Sequence, residues 1–200
     1  MADMIQFVAH RVNDPAALES LSPELGAEID IRSQEGRLIL HHEPNTSGPL
    51  LTDFLDAYAR TRKDRLLILN PKEDGHDVAV IKMLSERDIE NYFFLDLTMP
   101  STIRMAVKGW ERRIALRVSE YETAASAQML AGKADWIWLD SFTGEPPAAE
   151  VAEALRKDFK ICLVSPELEG FPVSRIKAFT SLLPHVDAVC TKHPDRWNEP

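Results

Sequence analysis

Eight short apolar runs alternate with stretches of helical spacing along nearly the whole chain, and this alternation limits the fold more than any other feature. The runs are Met4 to Ala9, Ala27 to Ile31, Leu66 to Leu69, Tyr92 to Leu95, Ile114 to Val118, Trp136 to Leu139, Ile161 to Val164 and Asp187 to Cys190. Between most of them lie Leu51 to Thr61, Val78 to Arg87, Thr102 to Lys108, Thr123 to Ala131, Ala148 to Asp158 and Ser174 to Leu183, with the apolar periodicity of helices. Strand, helix, strand in repetition is the signature of a parallel sheet. Eight such units can close into a (β/α)8 barrel, and at 200 residues the chain lies at the lower edge of that fold's size. The connections must then be short: Val12 to Gly26 has room for about one or two helical turns. An open doubly wound sheet is the alternative, but no glycine-rich phosphate loop follows the first strand. The expectation is one compact barrel domain over residues 1–200.

Local signals agree with this alternation. Asp77, Ser101 and Ser174 are expected N-caps, Pro146-Pro147 suits the entry to a helix, and Gly109 and Gly132 sit where helices should stop. Arg37 to Leu40 breaks the rhythm, because only a few residues around Gln34-Glu35-Gly36 separate it from the second strand. Parallel neighbours need a longer crossover, so this run must turn back as an antiparallel excursion that returns His41 and His42 towards the second strand's end.

In a barrel of this kind, functional residues gather where the strands end. This chain puts His10, Glu28 and Asp30, Asn70 and Lys72, Asp96, Arg117 with Ser119, Asp140, Ser165 with Glu167, and Lys192 there. A strand's period of two places Glu28 and Asp30 on one face, close enough to share a divalent cation as hard oxygen ligands. The same parity aligns Ile68, Asn70 and Lys72, then Trp136, Trp138 and Asp140, and finally Ala188, Cys190 and Lys192, so their polar members face one cavity. Strand ends meet water and carry polar residues in any protein, but a ring of mixed charges suits phosphate and metal together. The net charge of -9 and pI near 5.2 argue against nucleic acid or an anionic membrane as partner. Met1 to Val8 has no basic region followed by a long apolar core, and no run reaches membrane-spanning length, so a cytoplasmic protein is expected. Cys162 and Cys190, each inside an apolar run, read as buried core thiols.

His10-Arg11, Glu28-x-Asp30, Gly36 followed by His42-Glu43, and Leu69-Asn70-Pro71-Lys72 together resemble the glycerophosphodiester phosphodiesterases and their relatives, the phosphatidylinositol-specific phospholipases C and sphingomyelinase D enzymes. The family pattern runs His-Arg-Gly, Glu-x-Asp, an acidic-Gly hairpin, His-Asp, then a strand bearing Glu-x-Lys or Asp-x-Lys. The motif order matches over residues 10 to 43 and extends to 72; beyond that only the strand-helix rhythm agrees. The resemblance implies a metal-assisted phosphodiester hydrolase in which His10 and His42 act as general acid and base. It implies that Glu28 and Asp30, with Asn70 at the third position, hold one divalent cation, Mg2+ or Ca2+. Arg11 and Lys72 would contact phosphate, and Arg117 and Lys192 are further candidates for that role. The expected partner is a small-molecule substrate, a glycerophosphodiester or a sugar-phosphate diester. This chemistry is consistent with the residue types, since a phosphodiester's anionic oxygens repel nucleophiles until positive charge stabilises them, and imidazoles move protons near neutral pH.

The chain departs from the pattern in four places. The glycine after His-Arg is Val12, and the Pro-Glu-Asn-Thr segment that often follows is absent, which implies a different path for the first loop. Asn70 offers an amide oxygen without charge where the family has an acid, and Glu43 keeps the carboxylate after the second histidine. Two other readings use the same residues: a barrel that binds a phosphorylated sugar without turnover, and a metal-independent lyase in which Lys72 or Arg117 supplies the positive charge. Glu28 and Asp30 could instead form a structural ion network with Arg11, Arg32 or Lys72, and His10 a hydrogen-bonded core histidine. His41 reads as a surface or supporting group. Trp136 and Trp138 read as barrel filling before a stacking wall, and Lys192 as a phosphate contact before a Schiff-base lysine. The segment from His193 to Pro200, carrying Trp197, is expected to dock over the end of the barrel.

Overall fold

A computed structural model describes residues 5–197, so Met4 of the first apolar run and residues 198–200 of the terminal segment lie outside the description. The elements in chain order are β1 (Gln6–Ala9), α1 (Pro15–Ser20), β2 (Gly26–Gln34), β3 (Arg37–Leu40), α2 (Leu51–Arg62), β4 (Leu67–Pro71), α3 (Asp77–Ser85) and β5 (Tyr92–Phe94). They continue with α4 (Met99–Lys108), β6 (Ala115–Val118), α5 (Ala124–Gln128), β7 (Trp136–Leu139), α6 (Ala149–Leu155), β8 (Lys160–Val164), α7 (Ile176–Phe179) and β9 (Ala188–Thr191). Strand neighbours run β5-β4-β2-β1-β9-β8-β7-β6, all parallel. The ends of this path meet through one parallel bridge, Phe94 with Ile114, where Phe94 N–H donates to the Arg113 carbonyl at 2.8 Å. The result is a nearly closed (β/α)8 barrel. β3 lies off the ring and pairs antiparallel with β2, Ile31 opposite Leu40 and Gln34 opposite Arg37.

Burial divides by strand parity. Val8, Ile68, Phe93, Ala115, Trp136, Trp138, Cys162, Ala188 and Cys190 fill the barrel interior, while Ile29, Leu67, Leu69, Ile137, Ile161 and Val189 face the helices. Trp136 and Trp138 are therefore filling: the Phe93 ring packs 4.8 Å and 6.4 Å from them, centroid to centroid. Both cysteines are buried free thiols.

Helix starts differ from the sequence expectation. Asp77 is the first residue of α3, behind His76, and Ser101 lies within α4, whose cap is Thr98, its hydroxyl accepting from Ser101 N–H. Ser174 sits in a 3-10 turn over Val173–Arg175, and the segment expected as one helix from 174 to 183 is a single α turn flanked by 3-10 turns, with Pro184 inside the second. Pro184 has no N–H to extend an α ladder. Gly109 ends α4 in the left-handed region, whereas Gly132 lies in the turn after α5 without capping it. Pro194–Trp197 forms a 3-10 turn that buries Trp197, whose indole N–H donates to Ser165 Oγ at 3.3 Å.

Candidate active site

The site grows from the first two strands. His10 N–H donates to the Thr191 carbonyl, carrying the β1–β9 ladder one residue further, and the chain then turns through Arg11 at φ 57°. That left-handed residue is costly for a side chain bearing a Cβ and survives only where surroundings impose it. Here it aims the Arg11 N–H at Glu28 Oε2, 2.8 Å away, while Val12 N–H reaches the Glu28 carbonyl at 2.8 Å. Val12 itself turns inward and is buried, so the residue in glycine's place serves packing without needing glycine's backbone freedom.

Glu28 and Asp30 are almost fully buried. Glu28 accepts from Asn70 Nδ2 at 3.2 Å and has His10 Nε2 at 3.8 Å. Asn13 grips Asp30 twice, its amide donating to Oδ2 at 2.7 Å and its oxygen accepting from the Asp30 N–H at 2.8 Å. Lys72 Nζ is 2.8 Å from Asp30 Oδ1, an ion pair whose direction leaves that oxygen without a hydrogen bond, and Arg11 Nε is 4.0 Å from Oδ2. Burial, reinforced by the Asp30 charge, pushes the Glu28 carboxyl up to about 7.

The hairpin supplies the second imidazole. Arg11 can only donate, so its contact with His42 Nε2 at 2.7 Å puts the His42 proton on Nδ1, which donates to Glu43 Oε1 at 2.7 Å. Arg32 fixes this corner by donating to the His42 carbonyl at 2.8 Å. His41 turns onto the Glu43 backbone. His10 is held neutral, its pKa lowered to about 4 by burial and then by the charges of Arg11, Lys192 and Lys72 against the pull of Asp30. Its Nδ1 is buried without a partner.

His10, Arg11, Glu28, Asp30, His42, Asn70 and Lys72 thus form one connected group, with the two histidines joined through Arg11, and Lys192 adds its charge at His10. Arg117 stands apart. β6 is opposite β1 in the ring, and there Arg117 is gripped by Asp140, by Asp96 at 2.5 Å and by Glu122 at 3.7 Å, with the Phe142 ring 5.7 Å away. Sequence reasoning passed over Asn13, and placed Glu167 at the strand ends without giving it a role. Glu167 is buried beside the mouth and accepts from Ser165, from Thr191 at 2.6 Å and from the Lys192 N–H at 3.0 Å. Nothing in an isolated loop asparagine announces its bidentate grip, whereas Glu167 was legible as a polar residue just past the end of β8.

Among the described residues no cluster of three or more His, Cys, Asp or Glu side chains could hold a metal ion. The donor types nonetheless suit a hard cation: two buried carboxylates lie beside an amide, and Asn70 Oδ1, and Asp30 Oδ1 apart from its ion pair with Lys72, are buried acceptors without a hydrogen bond.

No protein-family model matches the chain, and no curated protein is similar to it in sequence. Solved structures match it over nearly its full length. A glycerophosphodiester phosphodiesterase from Agrobacterium tumefaciens is 16% identical with a TM-score of 0.70, covering 97% of this chain and 99% of that one. A glycerophosphoryl diester phosphodiesterase from Parabacteroides distasonis is 15% identical at 0.64, covering 98% and 86%. An Oleispira antarctica phosphodiesterase, solved with the product sn-glycerol-3-phosphate, is 15% identical at 0.70, covering 97% and 95%. The chain therefore has the barrel of these phosphodiesterases; at such identities the fold is what is shared, and chemistry must be argued from the site.

Proposed function

We propose that this barrel is a metal-assisted phosphodiesterase acting on small glycerophosphodiester-like or sugar-phosphate diesters. The observation that carries the reading is the connected group in which one arginine touches both the His42 imidazole and the acidic pair while His10 is held neutral beside Glu28. The likeness to three phosphodiesterase barrels, one solved with a glycerol phosphate, supports the substrate class.

Glu28, Asp30 and Asn70 would hold Mg2+ or Ca2+, and a bound cation supplies Lewis-acid stabilisation of charge on the phosphoryl oxygens. The chain's own residues do the rest. Arg11 and Lys72 donate to the phosphate oxygens. Neutral His10 takes the proton of the attacking hydroxyl, from water or from a hydroxyl next to the phosphate. Once the phosphate draws Arg11 away from His42 Nε2, that nitrogen can take up a proton, with Nδ1–H still donating to Glu43, and pass it to the leaving oxygen. Asn13 keeps Asp30 in place.

The test is hydrolysis of an aryl phosphodiester and of a glycerophosphodiester by EDTA-treated protein. Turnover should stop with EDTA and return with Mg2+ or Ca2+. His10→Ala and His42→Ala should each lower kcat by about a hundredfold or more with folding retained. Turnover indifferent to EDTA would assign lyase chemistry, and binding without turnover a phosphosugar-binding barrel.

A further inference from the structure

A cation entering this site meets oxygen donors but little net negative charge. Counting both carboxylates as ionised, Glu28 and Asp30 are already matched by Lys72, 2.8 Å from Asp30 Oδ1, and by Arg11, 4.0 Å from Asp30 Oδ2. Asn70 brings an oxygen and no charge: its Oδ1 is buried and without a hydrogen bond, and its Nδ2 is spent on Glu28. A divalent ion placed among these groups leaves an uncompensated charge in a site where Glu28 and Asp30 are 1% and 0% exposed, and such charge is costly in a low-dielectric interior. Asp30 Oδ1 is moreover shared with Lys72, so the ion must compete with an ammonium for one of its own ligands. An anion solves both problems, because it supplies the missing negative charge and draws Lys72 and Arg11 towards itself.

We propose that cation and phosphate bind this site as a coupled pair, each weakly alone, and that Asn70 and Lys72 set the coupling. The inference rests on the cation-site reading of Glu28 and Asp30 given above. Cation occupancy then follows the arrival of an anionic phosphate group, so the protein holds little metal at rest. The coupling is reciprocal: whatever factor phosphate adds to cation affinity, the cation adds to phosphate affinity.

Mn2+ serves as probe, since carboxylate and amide oxygens suit it as they do Mg2+ and Ca2+. Free Mn2+ is followed by its electron paramagnetic resonance signal during titration of EDTA-cleared full-length protein, with and without inorganic phosphate, each referenced to the same solution lacking protein. The Mn2+ Kd should fall by about tenfold or more with phosphate, and the phosphate Kd by the same factor with Mn2+. In Asn70→Asp the added carboxylate should tighten phosphate-free Mn2+ binding by about tenfold and shrink the phosphate effect. Lys72→Met should also tighten phosphate-free binding, which covers the case in which the aspartate variant fails to fold by circular dichroism. Equal Mn2+ affinity with and without phosphate overturns the proposal, as does absence of Mn2+ binding in both conditions, or a phosphate effect unchanged in both folded variants. Diester turnover, measured separately, decides the phosphodiesterase reading on its own, so coupling can fail while that reading stands.

Discussion

At the scale of single residues, Glu28 is the group whose position makes least sense for stability alone. It is 1% exposed, lies beside Asp30, and is met by one backbone N–H and one amide where an ionised buried carboxylate needs more. Its pKa in the folded chain is about 7, against 4.5 for the ordinary group. The folded state therefore holds the proton more tightly, so the stabilisation present below pH 4.5 is lost as pH rises through 7. That shift corresponds to roughly 3 kcal/mol. Thermal melts of cation-free protein should show stability falling over this window, and Glu28→Gln should flatten the fall and be more stable than the parent at pH 8 while losing nearly all turnover. A variant that loses stability and activity together would make the carboxylate structural. The Glu-x-Asp spacing made this pair legible from the sequence, because strand parity is a local rule. The same logic aligned Asn70 with Lys72. It could not reach Arg11's left-handed backbone or the two-point grip of Asn13, which depend on where a loop closes in space.

At the scale of elements, strands were legible and helix boundaries less so. A strand of the barrel is buried on both faces, so each appears as a continuous apolar run whatever surrounds it. A helix cap depends on one or two residues, and the chain offered rival candidates: Thr98 two residues before Pro100 caps α4, while Ser101 three positions on is drawn into the first turn and bonds to Asp74. Gly26 is a signal that sequence alone left unread. A Cβ there would come 2.2 Å from the Leu66 carbonyl oxygen and 3.2 Å from Val8 Cγ2, so β2 approaches β4 and β1 more closely than any other residue permits. β2 also carries Glu28 and Asp30, so a larger residue at its head would have to displace the strand on which both sit. Gly26→Ala should cost on the order of 1–3 kcal/mol in urea unfolding. Because β2 must shift, it should also lower kcat in whatever fraction stays folded, by up to about a hundredfold. An alanine variant with parental kcat would show that the close approach serves packing and not the site.

For the whole molecule the question is how a ring with one weak joint stays shut. β2 and β4 pair from Ala27 with Leu67 to Ile31 with Pro71, whereas β5 and β6 share the single Phe94–Ile114 bridge. Side chains bind that joint from below. Tyr92 OH donates to Glu111 Oε2 at 2.7 Å; Arg113 lies 4.0 Å over the Tyr92 ring and donates to Glu111 at 2.9 Å and to Glu90 at 2.8 Å. Burial alone would raise the Glu111 pKa, yet the hydrogen bonds from Arg113 and Tyr92 outweigh it and hold the carboxyl below its ordinary range. A carboxylate so held is stabilising only while its partners remain. Arg113→Met keeps the length and apolar contact of the side chain but strips the buried Glu111 of its guanidinium partner, leaving it the Tyr92 hydroxyl and the backbone N–H groups of residues 112 and 113, which should cost about 3 kcal/mol. Hydrogen exchange locates the damage: amides of β5 and β6 should exchange faster in the variant while those of β1 and β9, across the ring, keep their protection relative to the global opening limit. The Tyr92–Glu111–Arg113 clasp lies at the strand starts and the histidine group at the strand ends, so the variant's kcat at low temperature should stay within about twofold of the parent. Uniformly faster exchange around the ring would mean that the barrel opens as one unit, and that the clasp adds to overall stability without guarding the seam.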